Sequence, residues 1–254
     1  MTVQAAIDVA QVRELDLAAE RNEVKFLLPA TQAASFALGS SERLPAQRGA
    51  PEQELTTVYF DTEGCELYRA ALAQPIAIKV RIRAYGAAPA VYVELKVREG
   101  QRSRKSRVQL PVDAAISLVE RPELAVAYDL LGADGAAFHG VADELRRVCA
   151  GLSGRLRASC AVRYRRRAFE EPALALRVTI DRELRAFAPD PAAELFSSCR
   201  DEQPAFAEPA CVVEIKSRGG WPPWLPSLLA AHGALPVEYS KFVMASRAVH
   251  GILR

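Results

Sequence analysis

The chain has 254 residues, of which 25% are charged and 50% hydrophobic, an ordinary globular composition long enough for one large domain or two small ones. Its 33 basic residues are nearly matched by 31 acidic ones, so at a formal net charge of +2 any strong positive field must come from clustering rather than excess. Five cysteines (Cys65, Cys149, Cys160, Cys199, Cys211) without a C-x-x-C pair argue against a disulfide framework or cysteine zinc site and fit a reduced, cytoplasmic chain, and three scattered histidines give no support to a metal triad.

Residues 1–19 read as a poorly specified leader. They carry acids early and lack the basic start and apolar core of a signal peptide. No stretch approaches the roughly 18 uninterrupted apolar residues of a membrane span, so the chain is expected to be soluble. Residues 20–254 are expected to form a single domain.

From Arg21 the pattern sharpens. RNEVKFLL predicts a strand, and PATQAASFALGS a helix opening at Pro29. TTVYFDTE (56–63) is β-branched and aromatic, and ends in a turn at Glu63-Gly64. IAIKVRIRAYG and APAVYVELKVREG are two strands whose short link, Gly86 to Pro89, predicts an antiparallel hairpin. RSRKSRVQLPV (102–112) continues as a strand after a basic loop. Residues 113–156 read as helical, with Val141, Leu145 and Val148 on one side of the second segment. Strands resume with ASCAVRYRRRAFE (158–170) and ALALRVTIDREL (173–184). A long proline-bearing loop then leads to the strand CVVEIKSRG (211–219), and two closing helices follow.

Several of these strands share one unusual pattern. In IAIKVRIRAY, Ile78, Val80 and Ile82 alternate with Lys79, Arg81 and Arg83, so one strand face is aliphatic and the other cationic. VYVELKV sets four aliphatics against Tyr92, Glu94 and Lys96; LALRVTID sets three against Arg177, Thr179 and Asp181. CVVEIKS sets Val213 and Ile215 against Glu214 and Lys216, and Glu23 and Lys25 share a face of the first strand. A single such strand is normally the solvated face of a surface sheet. Five of them leave few places to build a core on the other side. The pattern predicts an α+β fold: a closed antiparallel barrel of about eight strands, helices covering the aliphatic outside, and a charged tunnel within. Like charges about 7 Å apart repel, so the tunnel requires an anionic guest. Lysine and the planar fork of arginine favour phosphate, while glutamates, Glu214 above all, suit a hard divalent cation bridging phosphate oxygens.

The ordered set R-x-E-x-K (Arg21, Glu23, Lys25), VYFD (58–61), KVRIRAYG (79–86), VYVELK (91–96), RSRKSR (102–107), Y-x-R-x-AF (Tyr164 to Phe169), RVTID (177–181), VVEIKS (212–217) and YSKF (239–242) resembles the VTC domain. That is the catalytic domain of polyphosphate polymerases, within the CYTH-like triphosphate tunnel metalloenzymes. The resemblance implies a tunnel that binds ATP, triphosphate, pyrophosphate or polyphosphate with Mn²⁺ or Mg²⁺. It implies phosphate-gripping catalytic roles for Arg81, Arg83, Lys96, Arg166 and Arg177, with Lys25, Lys105 and Lys241 adding to the grip. Tyr164 would donate a hydrogen bond and Glu214 would be the principal metal ligand. Lys79 and Lys216, on the same strand faces, join the phosphate-binding set, and Glu23 and Glu94 stand as supporting groups around the metal. The family reaction passes the γ-phosphate of ATP to a growing chain.

Two points depart from the family pattern or leave it open. Triphosphatases of the superfamily begin E-x-E-x-K, whereas the first position here is Arg21. In VRYRRRAFE the motif places Tyr164 and Arg166 inward, while charge alone allows Arg163, Arg165 and Arg167. The membrane segments and phosphate-sensing domain of the fungal complexes are not found, so coupling to transport would need a membrane-protein partner. A polyphosphate polymerase is therefore expected first, an inorganic tri- or polyphosphate hydrolase second, and a non-catalytic polyphosphate- or nucleotide-binding subunit third. Retention of Arg81, Arg83 and Glu214 argues against the inert subunit. Nucleic-acid binding ranks last, because the charge lies within strands rather than on an exposed helix or aromatic platform.

Overall fold

The computed structural model of the chain describes residues 22–46, 52–73, 76–86, 89–100, 102–124, 135–189, 194–196, 199 and 203–251. The leader, Arg21, the tip of the hairpin link and parts of the long loop lie outside these residues. Among the described residues nine strands form one antiparallel sheet: β1 (Asn22–Leu28), β2 (Gln53–Asp61), β3 (Ile76–Tyr85), β4 (Ala90–Glu99), β5 (Arg102–Pro111), β6 (Arg157–Glu171), β7 (Leu176–Phe187), β8 (Phe206–Ala207) and β9 (Cys211–Ser217). The order is β1-β9-β7-β6-β2-β3-β4-β5, with short β8 paired to β7 beyond the end of β9. Six helices accompany it: α1 (Ala30–Ser41), α2 (Glu66–Ala73), α3 (Val112–Glu120), α4 (Gly135–Ala150), α5 (Trp224–Ala231) and α6 (Lys241–His250).

The expected barrel is corrected in one respect. No ladder joins β1 to β5, so the sheet is not closed by hydrogen bonds. It curls nonetheless, because Lys96 Nζ on β4 lies 2.9 Å from Glu23 Oε2 on β1, across the concave side. Side chains, rather than backbone, draw that side together.

Alternation decides which residues face which way. Val80 and Ile82 pair with Leu95 and Val93 on the convex face, and Arg81 pairs with Glu94 on the concave face. The convex aliphatic rows form two cores. One lies under α3 and α4, where Leu118, Phe138, Val141, Leu145 and Val148 are buried against β3–β5. The other lies under α1 and α5, where Phe36, Leu225 and Leu229 pack on Phe26, Val178, Val213 and Ile215. Full burial of each such side chain contributes about 1.5–3 kcal/mol. The tryptophans of WPPWLP (221–226) pack here: Trp221 meets Phe26 with ring centroids 6.3 Å apart.

Two features differ from the sequence reading. Helix α2 was not anticipated. It follows the predicted turn at Glu63-Gly64 and is capped by Asp61, whose carboxylate accepts the amides of Thr62, Leu67 and Tyr68 at 2.7–2.9 Å. The basic run RSRKSR forms the first part of β5, in keeping with the strand expected over 102–112. Helix α6 does not join the outer layer. It seats on the concave face, with Phe242 against Tyr59 (centroids 5.1 Å apart) and Ser246 Oγ 3.5 Å from Cys160 Sγ.

Two irregularities tune the register. Ser159 is the extra residue where β6 passes Tyr59-Phe60. On β7, Glu183 and Leu184 together oppose Tyr164, with Glu183 at φ 54°. The second bulge changes the inward set on β7 from Arg177, Thr179 and Asp181 to Leu184 and Ala186. The charged half of the concave face thereby gives way to an apolar half, which α6 covers.

Candidate functional site

The concave face carries the charged residues in three ionic groups. The first is centred on Glu94 of β4, which has no solvent exposure. Arg81 Nε and Nη2 each lie 2.8 Å from Oε2, and Lys105 Nζ lies 2.5 Å from Oε1. Arg83 approaches to 3.7 Å and Arg107 to 4.0 Å. Arg83 Nε also donates to Thr57 Oγ1 at 3.0 Å, and the Arg107 guanidinium stacks over Tyr92 at 4.0 Å. One carboxylate thus meets four cations. Burial raises the Glu94 carboxyl, but Arg81, Arg83 and Lys105 outweigh it and hold it far below the usual carboxylate range. Burial lowers Lys105 to about 8 even though Glu94 supports its charge.

The second group joins β6, β7 and α6. Arg166 forks onto Asp181 with Nε–Oδ1 2.6 Å and Nη2–Oδ2 2.7 Å, and Lys241 Nζ lies 2.6 Å from Oδ2. Asp181 is fully buried; burial raises its carboxyl while Arg166 and Lys241 pull it below the ordinary value. The Tyr164 ring lies beneath both cations, 5.3 Å from Arg166 and 5.1 Å from Lys241. Its hydroxyl is buried and has no hydrogen-bond partner among the described residues. Burial raises that phenol, and Arg166, Arg83 and Lys241 lower it on balance.

The third group lies on β1, β9 and β4. Glu23 meets Lys96 at 2.9 Å, Lys25 at 3.0 Å and Lys216 at 3.7 Å, and Lys216 meets Glu214 at 2.5 Å. Burial and Glu214 raise the Glu23 carboxyl, but Lys216, Lys25 and Lys96 bring it to about 2. Glu214 is held well below its usual value against burial, first by Lys216 and then by Arg166, Lys25 and Lys241. Lys25 Nζ also donates to the Tyr239 carbonyl at 2.9 Å, just before α6.

Most of the residues expected at the site therefore share one surface. Lys25, Lys79, Arg81, Arg83, Lys96, Lys105, Tyr164, Arg166, Arg177, Glu214, Lys216 and Lys241 all carry concave-face positions or contacts. Arg177 pairs with Lys216 in the ladder but is the most open of the four expected arginines, with 39% of its side chain exposed. The register at β6 follows the motif. Tyr164 and Arg166 face inward, whereas Arg163 and Arg165 face outward and pair with Glu54 at 2.6 Å and Glu52 at 2.8 Å. Lys79 stands on the concave face with the rest of the set. It is half-buried in a row with Lys96 and Lys105, and donates to Ser240 Oγ at 3.0 Å.

Glu94 is placed differently from expectation. It belongs to the arginine group rather than beside Glu214, so of the two supporting glutamates only Glu23 adjoins Glu214. Among the described residues no group of three His, Cys, Asp or Glu side chains converges as a metal cage. The donors near Glu214 suit a divalent ion held by one or two carboxylates rather than by an all-protein cage.

Sequence reasoning passed over Asp181, Arg107, Thr57 and Ser240 as site residues. Alternation alone could have found the first two, since Asp181 follows Arg177 by four residues and Arg107 follows Lys105 by two. Nothing local marks Thr57 or Ser240, which become partners only through chain crossings.

A family model of the VTC domain matches residues 20–250. A comparison with curated proteins finds no match. Among solved structures, a candidate adenylyl cyclase from Hippeastrum, described as having a dominant triphosphatase activity, aligns at TM-score 0.52 and 15% identity over 89% of this chain and 95% of that one. A candidate adenylate cyclase from Bacillus halodurans aligns at TM-score 0.49 and 12% identity, over 87% and 96% of the two chains. One from Vibrio parahaemolyticus aligns at 0.48 and 12%, over 90% and 99%. At such identities the Hippeastrum alignment speaks for the fold alone. The family match spans nearly the whole chain and includes every strand that carries the cationic face: the chain belongs to the VTC domain family.

Proposed function

We propose that residues 20–254 act as one tunnel domain that transfers the γ-phosphate of ATP to a growing inorganic polyphosphate chain. The observation that supports this most is the charge balance of the concave face. Four carboxylates, Glu23, Glu94, Asp181 and Glu214, are each shared among two or more cations, which leaves a surplus positive field suited to a polyanion. Arg81, Arg83, Lys96, Arg166 and Arg177 would grip phosphates, with Lys25, Lys79, Lys105, Lys216 and Lys241 extending the grip along the chain. The buried Tyr164 hydroxyl, lacking a partner among the described residues, is a donor ready for a phosphoryl oxygen.

Glu214, with Glu23 beside it, would hold Mn²⁺ or Mg²⁺. When bound, such an ion neutralises phosphate charge and aligns the leaving group. The protein's part is positioning and electrostatic stabilisation, so no side-chain nucleophile is needed. A hydrolase acting on tri- or polyphosphate is the second reading, since a protein of this fold, the one from Hippeastrum, is described as having a dominant triphosphatase activity.

The test is to incubate purified protein with ATP and Mn²⁺ and to resolve the products by chain length on a gel. Long chains support the polymerase; phosphate released from tripolyphosphate without chain growth supports the hydrolase instead. Arg81→Ala combined with Arg83→Ala is expected to lower either activity by at least a hundredfold, about 2.7 kcal/mol of transition-state stabilisation. Undiminished activity in that double variant would discard the tunnel assignment.

A further inference from the structure

Every other described lysine of the concave face has a carboxylate. Lys25 and Lys96 share Glu23, Lys105 has Glu94, Lys216 has Glu214 and Lys241 has Asp181, all within 3.0 Å. Lys79 does not; its amine rests on the neutral hydroxyl of Ser240 at 3.0 Å. The charged groups that act on it most strongly are mainly of its own sign: Lys25 from β1, Lys96 from β4 and Arg81 from β3, with the acid Glu23 of β1 acting less strongly. The ammonium form there is burdened by desolvation and by like charge at once. An arriving phosphoryl oxygen would supply the counter-charge that the chain omits.

We propose that Lys79 is a proton-coupled contact for the phosphate chain, an amine without a carboxylate partner among the described residues that takes up a proton from solvent as the anion docks. The inference rests on the tunnel reading given above and adds a pH dependence to it. Burial, then Lys25, Lys96 and Arg81, bring the free amine to about 7, in keeping with the geometry. The sign follows from linkage: anion binding favours the protonated amine, so affinity is greatest below that value and falls as pH rises through it. Arginine at this position would stay charged throughout.

The experiment is isothermal titration calorimetry of tripolyphosphate into the full chain at pH 6.5, 7, 8 and 8.5, with chelator present and in two buffers of different ionisation heat. Proton uptake by the ligand, and by Lys105, is common to wild type and Lys79→Arg, so the difference between them isolates Lys79. The expected result is an excess uptake of roughly half to one proton by the wild type at pH 8. Its affinity should also fall about tenfold more between pH 7 and 8.5 than that of the Lys79→Arg protein. Equal uptake and parallel pH profiles in the two proteins would overturn the inference while leaving the tunnel reading intact. A wild type that binds no tripolyphosphate at any pH would overturn the tunnel reading, and this inference with it.

Discussion

Glu94 shows how one side chain can organise a cationic surface. Removing it leaves Arg81, Arg83 and Lys105 facing one another in a partly desolvated space, and a buried cation without its partner is strongly destabilising. Glu94→Gln is expected to lower unfolding free energy by about 3 kcal/mol in urea denaturation without ligand. Tripolyphosphate should restore more stability to that variant than to the wild type, because it replaces the lost counter-charge. A Gln variant as stable as wild type in the absence of anion would show that Glu94 is not the organising charge. Asp181 has the corresponding role for Arg166 and Lys241, through a fork that lysine could not reproduce.

At the scale of elements, α6 most clearly separates pattern from place. Its amphipathic face, with Phe242, Ala245 and Ser246 buried, is that of any outer helix. It nevertheless packs inside the curl, because β7 is bulged at Glu183 and presents Leu184 and Ala186 where a regular strand would have continued the charged face. Lys241 in its first turn is fixed by Asp181, while Ser240 caps its amide end at Val243. Asp181→Asn is expected to loosen α6 specifically. Hydrogen exchange at residues 241–250 should accelerate at least tenfold, about 1.4 kcal/mol of local opening, while amides of α3 and α4 on the far core stay protected. Uniform acceleration across all helices would instead indicate a global effect. Helix α2 escaped the sequence reading because its capping acid, Asp61, ends a strand and reaches forward to amides six and seven residues on.

For the whole molecule, the concave face makes stability depend on acid in one direction. Glu23, Glu94, Asp181 and Glu214 all titrate below their ordinary values in the folded chain because cations adjoin them. A depressed carboxylate contributes stability that is complete above its unfolded value, near 4, and is lost as pH falls through its folded value. The urea midpoint is therefore expected to change little between pH 7 and 5 on account of these groups and to drop steeply from about 4 towards 2. The Glu94→Gln protein should show a shallower acid limb; a limb as steep as wild type would assign the acid sensitivity elsewhere.

The sequence by itself determined the two-faced strands, since period-two alternation of Ile, Val and Leu with Lys, Arg and Glu leaves one arrangement for each strand. With them came the antiparallel α+β class, the outer helices α1, α3, α4 and α5, and the charged side chains that line the site. Only the tertiary structure decided how those charges are shared. Which carboxylate meets which cation depends on ladder register, on the extra residues at Ser159 and Glu183, and on an approach between β1 and β4 that no local pattern encodes. The same is true of Lys79. In its strand it is one of three alternating cations, and it becomes the lysine without a carboxylate because the chain that crosses it at residue 240 offers a hydroxyl. Local periodicity fixes the direction of a side chain, but only long-range pairing fixes its partner.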